Sequence, residues 1–461
     1  MKRSIFIAAL LSALLPGLAS APAQARPAAS KARLSETLSP DGLPRRLVLA
    51  LDGIPYEVFA QVQREGRFAE FQPAARMVST FPALSDVAFA QIEGSVPPAG
   101  YQTRHFDPAQ NRVVGNNVGA LSERAHPKIA SDATSHSVPH RIFGYAAPMR
   151  IARSELHEIG RDLLLSRKDT FVAYLGTSDA VLHLHGRAGA LKFLAEVDEY
   201  LQQLQAQVRA RSGRELKIDL VSDHGSTMMG SRVVPVAELL AGCGFRRSAK
   251  MESERDVAFA LPGIVGSMAI TTRPAQVEEA ARCLDKAEGM DLVAVNRTGA
   301  VGVLNRDGEA EVRLLPGASE RYGYRVLHGD PLGLLALSTG ADAERVFDEP
   351  ALFAATVDGA RPDPLRRLWR AFHGEVGEPS SLLLSLQDGY EVGNPALRFA
   401  TRLRGGHAGT HGSMTRLSSL GMIASNWRPV VDVNTGGAFT SLFGEGAAAA
   451  LEQAPVGAVS R

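Results

Sequence analysis

Cysteine is scarce in this chain. Only two cysteines, Cys243 and Cys283, occur among its 461 residues. Two thiols are too few for a metal site built from paired CxxC motifs. They leave two alternatives open: a single disulfide formed in an oxidising compartment, or two buried thiols.

An excess of charge of either sign is also missing. The chain has 50 Lys and Arg residues against 49 Asp and Glu residues. This balance provides no basic surface for binding a nucleic-acid polymer and no polybasic segment for binding anionic lipid. We therefore expect neither as a partner.

Long apolar runs are missing except at the N-terminus. There an apolar stretch over residues 5–18 follows two basic residues, and Ala23-Gln24-Ala25 forms an A-x-A cleavage site. This pattern predicts a secretory signal peptide over 1–25, cleaved after Ala25. No later run reaches the roughly 20 apolar residues of a membrane span. The mature protein is expected to be periplasmic or secreted, with no span.

Three apolar segments have the pattern of buried strands, and hydrophobic residues make up 45% of the chain. They are Arg46–Leu51, Phe171–Leu175 and Leu216–Ser222. A helical pattern over Ala190–Val208 separates the last two. Strands that alternate with helices predict an α/β fold with a doubly wound, mostly parallel sheet.

Residues 255–345 follow another pattern. A helix beginning at Pro274 and short strands around the Thr298-Gly299 turn predict a small α+β cap insert. The predicted organisation is a signal peptide (1–25), a linker (26–43), a catalytic core (44–254 and 346–435), the cap insert (255–345) and a Gly- and Ala-rich C-terminal tail (436–461).

An aspartate follows the end of each of the three strands: Asp52, Asp179 and Asp223. In an open α/β sheet, ligands bind beyond the carboxyl ends of the strands, so we expect these carboxylates to meet there. A single aspartate at such a position is more often a turn residue. Three of them accompanied by histidines indicate a site.

Histidines accompany these carboxylates. His183 lies four residues after Asp179, which on a helix puts both side chains on one face. His224 follows Asp223 directly, and His411 closes a glycine-rich run. Carboxylate oxygen and neutral imidazole suit zinc and similar divalent ions. Two such ions about 4 Å apart can clamp the attacking and leaving oxygens of a phosphoryl displacement.

A pair of hydroxyls, Ser79-Thr80, precedes Phe81-Pro82. In isolation, a hydroxyl at a turn before proline is more often a cap than a catalytic group. Beside a divalent cation, however, a hydroxyl loses its proton more easily and becomes a nucleophile. The pair therefore supplies a candidate nucleophile.

The order of these motifs resembles the alkaline phosphatase superfamily, most closely its type I phosphodiesterase/nucleotide pyrophosphatase branch. The motifs are Asp52-Gly53, Thr80-Phe81-Pro82, Asp179-x3-His183, Ser222-Asp223-His224-Gly225 and His411-Gly412. The resemblance covers about residues 44–430 and implies an alkaline phosphatase-like core for the predicted sheet.

The resemblance implies two divalent ions, most often zinc, and a covalent mechanism. One ion would be held by Asp179, His183 and His411, and the other by Asp52, Thr80, Asp223 and His224. Thr80 would attack phosphorus to give a phosphothreonine, which water then hydrolyses. The cap insert would shape the choice of substrate.

Two further histidines compete with the implied ligands. His185 lies two residues after His183 and would point elsewhere on a helical turn, so His183 is preferred. The family pattern has His followed by Gly, which favours His411 over His407. His407 is then either an outer partner of the site or a surface residue.

The oxyanion contact departs from the family pattern. Nucleotide pyrophosphatases carry an Asn soon after the TFP motif and another about twenty residues on, but here Ala83 follows Pro82. Arg104, near the second place, is a candidate contact to phosphate or an exposed loop residue. Phe81 is a candidate stacking partner for an aromatic leaving group or a core residue.

We therefore expect an exported, metal-dependent phosphodiesterase or nucleotide pyrophosphatase acting on a small-molecule phosphoester. A phosphomonoesterase or phosphonate hydrolase of the same superfamily is the alternative. A sulfatase is disfavoured because no Cys/Ser-x-Pro-x-Arg motif surrounds the hydroxyls. A non-catalytic exported binding protein is the alternative from another class, and it predicts broken ligand positions.

Overall fold

The computed structural model describes residues 38–40, 42–115, 133–134, 147–261, 263–337, 344–394, 398, 401 and 406–444. The predicted signal peptide, most of the linker and the end of the C-terminal tail lie outside these residues. None of the helices in the described ranges is both long enough and apolar enough to span a membrane.

The strands are numbered in chain order. They are β1 (Arg46–Leu51), β2 (Ala75–Val78), β3 (His105–Asp107), β4 (Arg112–Val114), β5 (Ala133–Thr134), β6 (Thr170–Leu175), β7 (Lys217–Val221), β8 (Arg232–Val233), β9 (Arg246–Arg247), β10 (Asp256–Ala258), β11 (Ser267–Thr272), β12 (Met290–Arg297), β13 (Ala300–Asn305), β14 (Gly308–Leu315), β15 (Arg321–Gly329), β16 (Glu344–Asp348), β17 (Leu382–Leu386), β18 (Tyr390–Glu391), β19 (Leu420–Ser425) and β20 (Val433–Asn434).

The helices are numbered in the same way. They are α1 (Tyr56–Arg64), α2 (Ser85–Ile92), α3 (Pro148–Leu165), α4 (Thr177–Ser212), α5 (Val236–Gly242), α6 (Val277–Leu284), α7 (Glu349–Thr356), α8 (Pro364–Phe372), α9 (Arg416–Ser419) and α10 (Thr435–Phe443).

The first sheet has seven strands in the order β20-β2-β19-β7-β1-β6-β5. Strand β1 runs parallel to both of its neighbours, β6 and β7, and of the described strands in this sheet only β19 is antiparallel to both of its neighbours. Leu47 and Leu49 pack with α1, α3 and α4 on one face, whereas Val48 packs with α2 and α10 on the other. Because both faces are covered, every residue of β1 after Arg46 is buried. The predicted doubly wound, mostly parallel α/β fold is confirmed.

The second sheet has nine strands in the order β16-β15-β14-β13-β12-β17-β11-β10-β9. Its pairs are antiparallel except for β9 with β10. The strands predicted around Thr298-Gly299 are β12 and β13, which form a hairpin. The sheet extends beyond the predicted insert limits of 255 and 345, because β9 and β17 also belong to it. β17 lies much later in the chain than β11 and β12, with which it pairs. Local sequence patterns do not reveal pairing between segments so far apart.

The two cysteines form a disulfide that links the end of α5 to α6. Cys243 follows α5, Cys283 lies on α6, and their Cα atoms are 6.4 Å apart. The structure therefore contains the disulfide rather than two buried thiols.

Two helices differ from the expected segments. The helix predicted over 190–208 belongs to the longer α4, and the backbone of Gly186 leaves helical geometry within it (φ 54°, ψ −147°). Helix α10 takes up the first residues of the predicted tail. Asn434 caps the start of this helix, since its side chain accepts a hydrogen bond from the Gly437 N–H at 2.9 Å.

Candidate metal centre and active site

The three predicted carboxylates lie at one edge of the first sheet. Strands β7, β1 and β6 are adjacent and parallel, so their carboxyl ends coincide. Asp52 follows β1, Asp223 follows β7, and Asp179 lies in the first turn of α4, just after β6. The switch from strand to turn or helix at each position aims the carboxylates into one space.

Asp179, His183 and His411 form the first candidate ligand group. The Nε2 atom of His183 is 3.2 Å from Asp179 Oδ2, across one turn of α4 as the spacing predicted. The Nε2 atom of His411 is 3.9 Å from Asp179 Oδ1. His183 and His411 are buried.

Asp52, Asp223 and His224 form the second group, and all three are buried. The Nε2 atom of His224 is 3.4 Å from Asp52 Oδ1 and 3.3 Å from Asp223 Oδ2. The two groups adjoin each other, since the rings of His224 and His411 stack with centroids 3.9 Å apart. The structure thus brings together six of the seven predicted metal-ligating residues.

Backbone carbonyls fix the orientation of all three imidazoles. The Nδ1 atoms of His183, His224 and His411 lie 2.8, 2.8 and 2.9 Å from the carbonyl oxygens of Gly409, Gly225 and Ala83. A carbonyl only accepts, so each Nδ1 carries the proton. In its neutral form, each ring therefore directs the lone pair of Nε2 towards carboxylate oxygens. Histidine ligands of metals in proteins are commonly held in this way.

The donor set of this cluster fits divalent cations. Lone pairs on Nε2 and on carboxylate oxygen repel one another unless a proton or a metal ion lies between them. Asp223 Oδ2 is buried and has no hydrogen-bond partner among the described residues. Burial, reinforced by the Asp52 carboxylate, raises the pKa of Asp223. Burial opposes a charge on His224 as well, but the carboxylates of Asp223 and Asp52 outweigh it and raise that pKa. These shifts indicate a buried site that lacks positive charge.

Gly53 allows the two groups to approach each other. Its φ of +72° is a conformation that favours glycine, and its N–H donates to Asp223 Oδ1 at 3.0 Å. A Cβ atom at this position would lie 2.9 Å from Asp179 Oδ1 and 3.2 Å from the His224 ring. The glycine of the Asp52-Gly53 motif is therefore required by both conformation and space.

Asp52 is held by side chains that the sequence did not indicate. The hydroxyl of Tyr174 on β6 donates to Asp52 Oδ2 in a short contact. Ser178 donates to the backbone carbonyl of Asp52 at 2.7 Å. Their signal in the sequence is weak, because both lie in or next to an apolar strand.

Ser85 brings a hydroxyl to the second ligand group. Its Oγ donates to Asp52 Oδ1 at 3.0 Å and lies 3.2 Å from His224 Nε2. Ser85 is the first residue of α2 and is only partly buried. The sequence indicated this role only weakly, through a serine that begins an apolar helical segment shortly after Thr80.

Thr80 occupies a different environment. Its side chain is buried, and its hydroxyl donates to the carbonyl of Pro82 at 2.8 Å. Its own carbonyl accepts from the buried guanidinium of Arg367 at 2.9 Å. The described hydrogen bonds of Thr80 therefore do not include the six ligand residues.

The two predicted substrate contacts, Phe81 and Arg104, lie in different environments. Phe81 is fully buried in the same hydrophobic core as the strands of the second sheet, so its ring presents no face to a substrate. This burial favours the alternative of a core residue over that of a stacking partner. Arg104 lines a cavity beside the same segment.

The competing histidines lie away from the cluster. His185 is exposed, in keeping with its place on another face of α4. The Nε2 atom of His407 lies 2.9 Å from Glu391 Oε2 and 2.6 Å from Ser231 Oγ. Both positions agree with the preference for His183 and His411.

Comparison with known proteins gives one family match. The family model described as type I phosphodiesterase/nucleotide pyrophosphatase matches residues 47–322. The comparison with curated proteins gives no match. Among solved structures, murine ectonucleotide pyrophosphatase/phosphodiesterase 5 aligns at 11% identity and a TM-score of 0.47, covering 86% of this chain and 94% of that one. The human protein of the same name aligns at 11% identity and 0.46, covering 86% and 93%.

Proposed function

Since the chain belongs to the type I phosphodiesterase/nucleotide pyrophosphatase family and is a phosphoric ester hydrolase, we propose that it is an exported phosphodiesterase that works with two divalent cations. Zinc is the first candidate ion because the ligands are carboxylates and imidazoles. The substrate is an organic phosphodiester or pyrophosphate.

The observation that carries the proposal is the pairing of two carboxylate–imidazole groups at one sheet edge. Asp179, His183 and His411 would hold one cation, and Asp52, Asp223 and His224 the other. Bound cations would supply positive charge for the phosphoryl oxygens and for the attacking and leaving oxygens. The protein's part is to hold the six side chains in place and keep the imidazoles neutral.

A hydroxyl of the segment 79–85 would be the nucleophile. Thr80 was expected from the motif, but its hydroxyl is bonded to Pro82. The contacts of Ser85 with Asp52 and His224 support Ser85 instead. Ser85 Oγ would form a bond to phosphorus as the bond from phosphorus to the departing alcohol oxygen breaks. The serine proton would pass through Asp52 Oδ1 to that alcohol. Water would then cleave the bond from phosphorus to Ser85 Oγ, restoring the hydroxyl and releasing a phosphomonoester that keeps the second ester group.

Hydrolysis of three aryl substrates tests the proposal. They are bis-p-nitrophenyl phosphate, p-nitrophenyl phosphate and p-nitrophenyl phenylphosphonate, offered to the metal-loaded mature protein. We expect the diester to be preferred, Ser85→Ala to abolish turnover, and Thr80→Val to retain most of it. Preference for the monoester would assign the protein to the phosphatases. Loss of turnover in Thr80→Val but not in Ser85→Ala would restore Thr80 as the nucleophile.

Export is supported by the predicted signal peptide and by the Cys243–Cys283 disulfide, which forms in oxidising compartments. N-terminal sequencing of the protein recovered outside the cytoplasm should begin at Arg26. Recovery of an intact Met1 in the cytoplasm would contradict export.

A further inference from the structure

A small cavity of about 30 Å³ lies against the second sheet, beside the segment that carries Ser85. One wall comes from the loop and strand at 101–106, and the other from residues 258–260 and β11. The cavity is outside the six-residue ligand cluster, and the proposed chemistry makes no use of it.

The cavity adjoins the ligand cluster on two sides. Leu84, in its lining, immediately precedes Ser85. Ser267, also in the lining, faces Gly412, because a Cβ on Gly412 would lie 2.8 Å from Ser267 Oγ and 3.5 Å from Leu84 Cδ2. Gly412 follows the ligand His411. A group bound in the cavity would therefore be close to the cluster along two separate segments.

Two arginines give this region unbalanced positive charge. Arg104 lines the cavity, and it forms no ion pair within the described part of the chain. Its Nε atom is buried without a hydrogen-bond partner there, as is Nδ1 of the adjacent His105. Burial, together with the charge of nearby Arg104, lowers the pKa of Arg247. Arg104 is half-buried and Arg247 is exposed, and neither forms an ion pair with a carboxylate in the described ranges. An anion bound beside them would therefore meet uncompensated positive charge.

The remaining walls are mixed, with polar side chains at Gln102, Ser267 and Ser380 beside several apolar and aromatic ones. Tyr101, Phe106, Phe259 and Met268 line the cavity. The Arg247 guanidinium lies over the Phe259 ring, 4.7 Å from its centroid. The aromatic and apolar side chains beside the half-buried Arg104 guanidinium strengthen its attraction for an anion.

We propose that this cavity binds a second anionic group of the substrate, a carboxylate or a further phosphate on the group that is not cleaved off. The inference rests on the proposed phosphodiesterase function and names its substrate class: phosphodiesters or pyrophosphates with an anionic substituent. Arg104 contacts this substituent directly, and Arg247 reinforces the positive charge.

A matched pair of substrates tests the inference. p-Nitrophenyl carboxymethyl phosphate and p-nitrophenyl ethyl phosphate share the reacting group and differ in one carboxylate. We expect kcat/KM to favour the carboxymethyl ester by about tenfold or more, as one charge-assisted hydrogen bond allows. Arg104→Gln should reduce that preference to near unity by lowering kcat/KM for the carboxymethyl ester. Arg112→Gln, which removes an exposed arginine of β4, is the charge-matched control and should preserve the preference.

Equal kcat/KM for the two esters in the native protein would overturn the subsite but not the phosphodiesterase. An equal loss for both esters in Arg104→Gln would also overturn it, because Arg104 would then contact the transferred phosphoryl group. Calorimetric titration with carboxymethyl phosphate and ethyl phosphate examines the cavity without turnover. Tighter binding of the carboxymethyl compound, lost in Arg104→Gln, would support the subsite even if neither diester were hydrolysed. Equal binding of the two compounds would reject it.

Discussion

The ligand cluster and the arginine-lined cavity adjoin each other but have opposite electrostatic requirements. The cluster directs three carboxylates and three imidazole lone pairs into one buried space, which calls for cations. The cavity places Arg104 near Arg247 without an acidic partner among the described residues, which calls for an anion. A substrate with two anionic groups would satisfy both regions at once. One region would then perform the chemistry, and the other would select the substrate.

The largest effect is expected from removing a ligand of the cluster. His183→Ala leaves Asp179 without its closest imidazole, so we expect kcat/KM to fall more than about 100-fold, beyond the usual cost of losing an outer partner of a metal site. Metal analysis should show that one of two ions per chain is lost. His185→Ala, two residues away and exposed, is the control and should change neither quantity. An active His183→Ala protein that keeps both ions would refute the assignment.

An intermediate effect is expected from Tyr174→Phe. This change removes the hydroxyl that donates to Asp52 but keeps the ring that packs edge-on against Phe89. We expect metal affinity to fall about 10- to 100-fold, as for other outer partners of metal ligands, measured by competition with a chelator. Tyr200→Phe, farther along α4, serves as the control. A lowered Tm with unchanged metal affinity would make Tyr174 a packing residue only.

The smallest effect on turnover is expected from the paired change Cys243→Ser and Cys283→Ser. The disulfide closes a 40-residue separation between α5 and α6, away from both regions compared above. Its loss should lower the free energy of unfolding by about 2–4 kcal/mol, measured by urea titration, and leave kcat within about twofold. A loss of turnover as large as that of His183→Ala would show that the two sheets are more tightly coupled than their separate cores indicate.

Short motifs made the ligand cluster predictable from the sequence. Asp52, Asp179 and Asp223 each follow an apolar strand, and a parallel sheet brings such strand ends together whatever their separation in the chain. The i, i+4 spacing of Asp179 and His183 needs only one helical turn. Local pattern and general topology therefore predicted that the three carboxylates meet, whereas the place of His411 was implied by the family resemblance.

The choice of nucleophile, the arginine pair and the place of β17 depend on tertiary contacts, which sequence patterns do not reveal. Ser85 and Thr80 lie close together in the chain and have the same chemistry, and only the start of α2 and the turn at Pro82 decide which hydroxyl meets Asp52. Arg104 and Arg247 lie far apart in the chain, on different parts of the fold. No local pattern marks such a pair, nor the recruitment of β17 into the second sheet.

The most direct test of the central claim is to find the residue that becomes phosphorylated during turnover. The metal-loaded protein is quenched in acid while it hydrolyses bis-p-nitrophenyl phosphate, and its peptides are sequenced by mass spectrometry. We predict a single p-nitrophenyl phosphoryl group on Ser85, absent from Ser85→Ala. A phosphorylated Thr80, or rapid turnover with no phosphorylated residue, would contradict it.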